Sequence, residues 1–208
     1  LRLDDTPQAL FALEDGADAL GLGGLFPELL SDDVDLQLGK LIQLELEDGV
    51  DLELVEVEAG DTSGRIFALA IDVGTTSVVT SLVDLTTGDL VDAVSSYNQQ
   101  IQRCDDVASR IIYADTPDQL RDLQRLIGDD TLNRHIELLC SGNAVRREEL
   151  IRAVISGNTI MGHLLLGVNP RNMGGVPFQP GVDDPGTFRA RALGLAIHPD
   201  GFVDLVPS

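Results

Sequence analysis

The sequence predicts a mixed α/β (α+β) fold in which antiparallel strands lead into further strands reached through helices. Three stretches predict it. Residues 66–71 form an apolar run that is broken at Asp72-Val73-Gly74-Thr75-Thr76, and Ser77 to Leu85 (SVVTSLVDL) resumes as a β-branched run, so two strands flank a Gly-Thr-Thr tip. Leu120, Leu123, Leu126 and Ile127 recur at helical spacing behind Thr116-Pro117. Ala153-Val154-Ile155-Ser156 is a brief buried-type strand that passes through Gly157-Asn158-Thr159 into an apolar helix, Ile160 to Val168 (IMGHLLLGV).

Taken in order, Thr6-Pro7 reads as a helix start, with Thr6 as the cap and Pro7 in the first turn. Gly21-Leu22-Gly23-Gly24 reads as a turn, since the third glycine and the preceding strand of a dinucleotide fingerprint are both missing. Leu41 to Glu47 (LIQLELE) and Val50 to Glu58 (VDLELVEVE) alternate apolar and polar residues on either side of Asp48-Gly49, which predicts a hairpin with one apolar and one acidic face. Thr86-Thr87-Gly88-Asp89 turns the chain into a third central strand, Leu90 to Ser96. Asp105 to Ile112 predicts a helix with acid in its first turn, where the macrodipole favours it. The helix that opens at Thr116 is expected to continue past Gly128 through Leu132, Ile136 and Leu139 to Asn143, carrying His135 on its surface. Glu148 to Arg152 reads as the end of a short charged helix, 169–185 as a long loop rich in Pro and Gly, Leu193 to Ala196 as a turn, and Phe202 to Pro207 as a closing strand.

Acidic residues number 35 against 14 basic ones, a formal charge of −21. Such a chain repels phosphodiester backbones and anionic lipid, so neither nucleic acid nor a membrane surface is an expected partner. Residues 1–61 hold seventeen of the acids against Arg2 and Lys40, about −15, which leaves about −6 for 62–208 and divides the chain into an acidic linker domain, 1–64, and a second domain, 65–208. Lys40 is the only lysine, and the absence of a G-x-x-x-x-G-K-S/T stretch excludes a P-loop NTPase. Cys104 and Cys140 lack a C-x-x-C partner or a nearby histidine, so no disulfide framework or cysteine-bound metal is expected and a reducing cytoplasm fits. No apolar run reaches spanning length, the opening LRLDDTPQAL lacks signal-peptide form, and the missing initiator Met points to a piece of a longer or trimmed chain.

The chemistry lies at two turns. Gly74 lets the backbone approach a ligand, and successive N–H groups with the Thr75 and Thr76 hydroxyls suit phosphate oxygens. Asp72, at the strand end, suits a hydrated Mg²⁺, which takes one or two carboxylates plus phosphates and retained waters. Gly157-Asn158-Thr159, between a strand and a helix, places N–H groups and a short polar side chain over an anion. Each turn also has a plainer reading, as a capped hairpin turn and as a βα turn in which Asn158 or Thr159 caps the helix.

The strand, DVGTT, strand unit resembles the first phosphate loop of the acetate kinase, sugar kinase, Hsp70 and actin superfamily of ATPases. More narrowly, Asp72 to Asp89, Asn98 to Arg110, Ile155 to Val168 and Leu193 to Pro207 together resemble the ATP-dependent reductive activators of corrinoid proteins, and the similarity reaches back through Gly60 to Arg65. Gln99 and Cys104 depart from the family's Pro and Gly, which leaves the shape of that loop open. Asp106, Ser109 and Arg110 match, although a capping acid and helix surface charge account for them equally. Met161 and His163 also fit the family and read as packing residues.

The resemblance implies that 65–208 is the first lobe of an actin-like (ribonuclease H-like) ATPase and that 1–64 is the linker following an N-terminal 2Fe–2S domain outside this chain. A second lobe with another phosphate loop and the adenosine pocket would complete the nucleotide site. For the whole protein it implies ATP-dependent reduction of a Co(II) corrinoid protein, its partner, to Co(I) for methyl transfer. ATP and Mg²⁺ are the implied cofactors here; the 2Fe–2S cluster belongs to the intact protein. Asp72 is the implied metal and catalytic residue, Gly74, Thr75, Thr76, Gly157, Asn158 and Thr159 the phosphate-holding set, and Asn158 the group that positions a phosphate or attacking water. The fragment alone is expected to be inactive, and a homodimer is left open. Two other readings stand beside this one: a small-molecule kinase of the same superfamily, and a docking or dimerisation module that uses the acidic hairpin.

Overall fold

The structure, a computed structural model, describes residues 38–46, 49–58, 64–182 and 185–207. The helix expected at Thr6 and the turn expected at 21–24 lie outside the described residues. By its contacts the chain divides into two units, 1–66 with 86–88, and 67–85 with 89–208. In the first, β1 (Leu38–Leu46) pairs antiparallel with β2 (Gly49–Glu58), with a bulge at Lys40/Leu41. Period-two alternation in both stretches is what drives this pairing, and β1 takes in Leu38 to Lys40, within the 35–40 stretch for which the sequence leaves a short helix or a strand edge open.

The second unit is built on a six-stranded sheet in the order β5-β4-β3-β6-β8-β7. β3 (Phe67–Val73), β4 (Ser77–Asp84) and β5 (Leu90–Tyr97) form an antiparallel meander, as the central stretch predicts. β6 (Leu150–Gly157) lies parallel to β3, β8 (Phe202–Leu205) lies parallel to β6, and β7 (Gly186–Arg189) closes the edge antiparallel to β8. The helices are α1 (Val107–Tyr113), α2 (Pro117–Ile127), α3 (Arg134–Asn143), α4 (Thr159–Leu165) and α5 (Ala190–Leu193).

Side-chain alternation sends Leu69, Ile71 and Val73 of β3, and Val78 and Leu82 of β4, to one face of the sheet. There they join Leu123, Leu126, Ile127, Ile136, Leu139 and Leu164 from the helices in one core. The opposite face carries Ala70, Asp72, Val79, Ser95, Val154 and Ser156, all exposed. β3 thus holds a carboxylate on the outer face one residue before its buried Val73.

Local sequence explains most of the helices. Thr116 caps α2 in a reciprocal capping box with Gln119, and Pro117 occupies the first turn, where its missing N–H costs nothing. The helix does continue past Gly128, through a π-helical turn, Gly128–Asn133, into α3. In that turn the Thr131 hydroxyl donates to the Leu126 carbonyl at 2.7 Å and accepts the Gln99 N–H at 3.2 Å. A proline at position 99 has no such proton to give, so the departure at Gln99 adds a contact; the segment Gln99–Gln102 is a 3₁₀ turn capped by Asn98. α1 begins at Val107, with Asp106 as its cap in a box with Ser109, so the expected acidic first turn is a capping acid.

Other boundaries moved. Glu148 to Arg152 is not a helix end: Arg147–Glu149 is one 3₁₀ turn, and β6 already begins at Leu150. Arg152 sits on that strand because Asp204, on the neighbouring β8, holds its Nε at 2.6 Å. α4 stops at Leu165, short of the expected Val168, and Gly167 takes a positive φ of 67° that ends the turn. β7 and most of α5 fall at 186–192, for which the sequence gives no element; β7 forms because β8 supplies a paired edge that a four-residue stretch lacks by itself, and α5 follows it and ends at Gly194, φ 67°.

Truncating Leu82 to Ala, fully buried between sheet and helices, is expected to destabilise the chain by about 2–5 kcal/mol, whereas Val79→Ala on the open face costs under about 1 kcal/mol. Urea unfolding of the two variants checks this ordering.

Candidate functional site

Because β3 and β6 are parallel neighbours, their C-terminal ends finish together, with Asp72 opposite Ser156 and Val73 opposite Gly157. The turns that follow therefore meet. Asn158 Nδ2 donates to Thr75 Oγ1 at 3.1 Å, joining the Gly74-Thr75-Thr76 turn to the start of α4. The two turns singled out from sequence 83 positions apart form one locus. Open α/β sheets place ligand-binding groups at such carboxyl ends of strands.

Both glycines are required by close backbone approach. A Cβ on Gly157 would lie 2.7 Å from the Val73 carbonyl oxygen of the adjacent strand. On Gly74 it would lie 2.6 Å from the Ser77 carbonyl oxygen, the group that accepts the Gly74 N–H at 3.0 Å. The sequence suggested that Gly74 clears space for a ligand; the turn itself already demands it.

Asp72 is exposed, and its Oδ1 lies 3.5 Å from Ser156 Oγ, which also donates to the Ile71 carbonyl at 3.3 Å. Asn158 has its two ends fixed by opposite partners. Oδ1 accepts the Met161 N–H at 3.1 Å and so caps α4, which leaves Nδ2 as the donor toward Thr75 with one further hydrogen. The capping reading and the proposed ligand role are thus compatible in one side chain. Among the described residues the Thr75 and Thr76 N–H groups donate to no protein acceptor. Thr159 starts α4, and its carbonyl accepts His163 Nδ1 at 2.7 Å.

The inner side of the turn is held by two residues to which sequence reasoning gave no such role. Asn98, fully buried, donates from Nδ2 to the Gly74 carbonyl at 3.0 Å, while its own N–H donates to the Thr76 carbonyl at 2.9 Å. Arg110, also fully buried, donates from Nη2 to the Thr75 carbonyl at 2.7 Å, from Nη1 to Gln100 Oε1 at 3.0 Å, and from Nε to the Cys104 carbonyl at 3.4 Å. Its Nη1 also lies 3.2 Å from Met161 Sδ. Among the described residues no carboxylate pairs with this guanidinium, and burial pushes its pKa down from the usual arginine value. Of the two readings the sequence leaves for Arg110, the structure overturns the surface charge. The signal was available: 107, 110, 111 and 114 make one helical stripe, in which Val107, Ile111 and Ala114 are the apolar members.

His135 is likewise corrected from surface to interior, at 1% exposure. Ser96 Oγ, which donates to the Tyr97 carbonyl at 3.1 Å, accepts from His135 Nε2 at 2.7 Å, so Nδ1 is the acceptor of the Thr80 hydroxyl at 3.0 Å. This bond set selects the neutral ring. Met161 and His163 are buried as expected, and His163 also makes polar contacts, since its Nε2 accepts the N–H groups of Gly181 and Val182 at 2.8 and 3.2 Å. Burial raises the thiol pKa of both Cys104 and Cys140, which keeps them protonated. Among the described residues no group of three or more His, Cys, Asp or Glu side chains is placed to hold a metal, and no helix is long and apolar enough to cross a membrane.

An antiparallel β3–β4–β5 meander, parallel β6 and β8, and a Gly-Thr-Thr turn between the first two strands define the first lobe of an actin-like ATPase fold. Residues 67–208 match the family described as the RACo middle region. The corrinoid activation enzyme RamQ of Eubacterium limosum is 36% identical over 152 residues, which are 73% of this chain and 26% of that protein. The solved structure of a reductive activator for corrinoid, iron–sulfur protein matches with a TM-score of 0.78 at 34% identity, over 88% of this chain and 28% of that one. The chain belongs to the RACo middle region family, that of the corrinoid reductive activators. It spans about a quarter of the length of these relatives.

Two outcomes follow for the site. Asn158→Ala, which removes both the α4 cap and the link to Thr75, is expected to cost about 1 kcal/mol in urea unfolding. Burial holds the pKa of His135 below its usual 6.5, so the unfolded chain takes up a proton before the folded one does. Its contribution is therefore complete above pH 6.5 and is lost as pH falls below that value toward the depressed folded pKa. Unfolding free energies of wild type and His135→Gln measured from about pH 7.5 to 5 are expected to diverge at the low end, with the variant losing less.

Proposed function

We propose that this chain supplies the first phosphate- and metal-holding half of the nucleotide site of an ATP-dependent corrinoid reductive activator. The observation that supports it best is the meeting, at the ends of β3 and β6, of an exposed carboxylate, two N–H groups without protein acceptors, and an amide donor. This donor set fits Mg²⁺ and phosphate in chemistry. A lone carboxylate with a hydroxyl beside it suits an ion that keeps its waters, and outward N–H groups suit phosphate oxygens.

In this reading Asp72 orients Mg²⁺ through water, and Gly74, Thr75 and Thr76 hold phosphate oxygens. Thr75 Oγ1 already accepts from Asn158, so its own proton is available to the ligand. Asn158, with Gly157 and Thr159 beside it, positions a phosphate or the attacking water through its remaining Nδ2 hydrogen. Phosphoryl transfer requires chiefly positioning and electrostatic stabilisation, so the lack of a nucleophilic side chain at this locus suits the reaction.

For the whole protein, this reading is a one-electron reduction of a Co(II) corrinoid partner to Co(I), with the electron supplied by a 2Fe–2S centre outside this chain; the similarity to a corrinoid activation enzyme and to a reductive activator for corrinoid, iron–sulfur protein supports the corrinoid partner and the reductive character. Such a transfer is uphill, and the differential affinity of ATP for two arrangements of the lobes supplies the linked free energy. A cytoplasmic setting is consistent with two protonated, unpaired cysteines.

Calorimetry with Mg–ATP tests the reading on this chain and on a longer version spanning the length of its relatives. The longer form is expected to bind, with Asp72→Ala and Thr75→Ala each weakening the Mg²⁺-dependent affinity by roughly tenfold or more. A longer wild type that ignores Mg–ATP overturns the assignment of this turn as a phosphate loop.

A further inference from the structure

Three successive carbonyls of the turn, those of Gly74, Thr75 and Thr76, are each taken by a donor from Asn98 or Arg110, both fully buried. A trans peptide is planar, and its C=O and N–H point in opposite directions. Pinning the Gly74 carbonyl inward therefore turns the Thr75 N–H outward, and pinning the Thr75 carbonyl turns the Thr76 N–H outward. Those are the two N–H groups left without protein acceptors. The orientation of Asn98 is unambiguous, because its Oδ1 accepts the Gln100 N–H at 3.1 Å while Nδ2 faces the Gly74 carbonyl.

We propose that Arg110, together with Asn98, is a positioning residue that sets the peptide planes of the 74–76 turn so that its N–H groups face a bound phosphate. Arg110 touches no ligand in this arrangement. It acts through the Thr75 carbonyl, and its fork is anchored from behind by Gln100 and Cys104. Met161 Sδ lies 3.2 Å from Arg110 Nη1 and 3.7 Å from Asn98 Nδ2, and Met161 stands on the helix that Asn158 caps. Both phosphate-facing turns are thereby referred to one buried layer. The guanidinium also places a fixed positive charge one peptide behind the proposed anion, which raises the local potential in a chain of net charge −21.

The ligand named here rests on the proposed phosphate role of the turn, whereas the orienting role of Arg110 is read from the protein alone, so the two are separable by experiment. Arg110→Lys keeps the charge but replaces a fork that reaches three acceptors with a single ammonium. Two readouts are taken on this chain and on the longer version: the ¹⁵N–¹H signals and amide exchange rates of Thr75 and Thr76, and the dissociation constant for Mg–ATP. Arg110→Lys is expected to shift both amide signals, to speed their exchange, and to raise the dissociation constant roughly tenfold or more, with Ile112→Ala, at an exposed position of the same helix, leaving both readouts near wild type.

Gln100→Ala removes one anchor of the fork and is the milder variant, expected to act in the same direction by less; it decides the matter should Arg110→Lys fail to fold. Unmoved Thr75 and Thr76 amides in whichever variant folds overturn the orienting role, whatever the affinity. Moved amides with no Mg–ATP binding by the longer wild type uphold the orienting role and sink the phosphate assignment instead. Moved amides with wild-type affinity show that the turn's geometry does not govern binding and overturn the proposal.

Discussion

A guanidinium taken wholly out of water is expensive, with an effective penalty of several kcal/mol per buried ion, and the Arg110 side chain meets that cost without a carboxylate partner among the described residues. What offsets it is a set of carbonyl and amide oxygens contributed by the β3–β4 turn, the 3₁₀ turn at Gln99–Gln102 and Cys104 in the segment leading to α1. Those acceptors come together only if all of these segments are in place. The constraint works in both directions: the charge is tolerable because the turn is there, and the turn keeps one conformation because a misplaced carbonyl leaves a buried cation unsatisfied. The Thr75 peptide is held by this guanidinium, and Met161 borders it.

An acidic chain in a family of corrinoid reductive activators would have to hold anionic ligands by local fields rather than by net charge. Residues 1–61 hold seventeen of the 35 acids but only two of the 14 basic residues, so residues 62–208, which contain the turn, are only about −6. At the turn itself the relevant charges are backbone dipoles aimed by pinned peptides and one cation behind them. Asp72 lies on the outer face of the sheet at the end of β3, where a hydrated divalent ion would reduce its repulsion of phosphate.

Much of the fold is legible along the chain because its cues are local. The apolar run ending at Asp72, the β-branched run after it and the Thr86-to-Asp89 turn specify the meander, and the Thr116-Pro117 box specifies α2. Gly157-Asn158-Thr159 is readable as a cap for the same reason. β7 is not, since a four-residue strand owes its existence to its partner β8 rather than to its own pattern. Nor is the start of β6, where Glu148, Glu149 and Arg152 look like helix surface until Asp204 supplies a cross-strand partner for the arginine.

The residues of the two turns were determined by sequence alone: glycines where backbones crowd, short polar side chains where helices begin, a carboxylate where a strand ends. Sequence also carried the family likeness, in stretches such as Asn98 to Arg110. Only the tertiary structure decided that Arg110 and His135 are interior, because burial of a polar side chain depends on hydrogen-bond partners contributed from 35 or 55 positions away and no periodicity encodes them. The meeting of Thr75 with Asn158 is of the same kind, settled by the parallel pairing of β3 with β6, since pairing between distant strands is a property of the assembled sheet and of no single stretch.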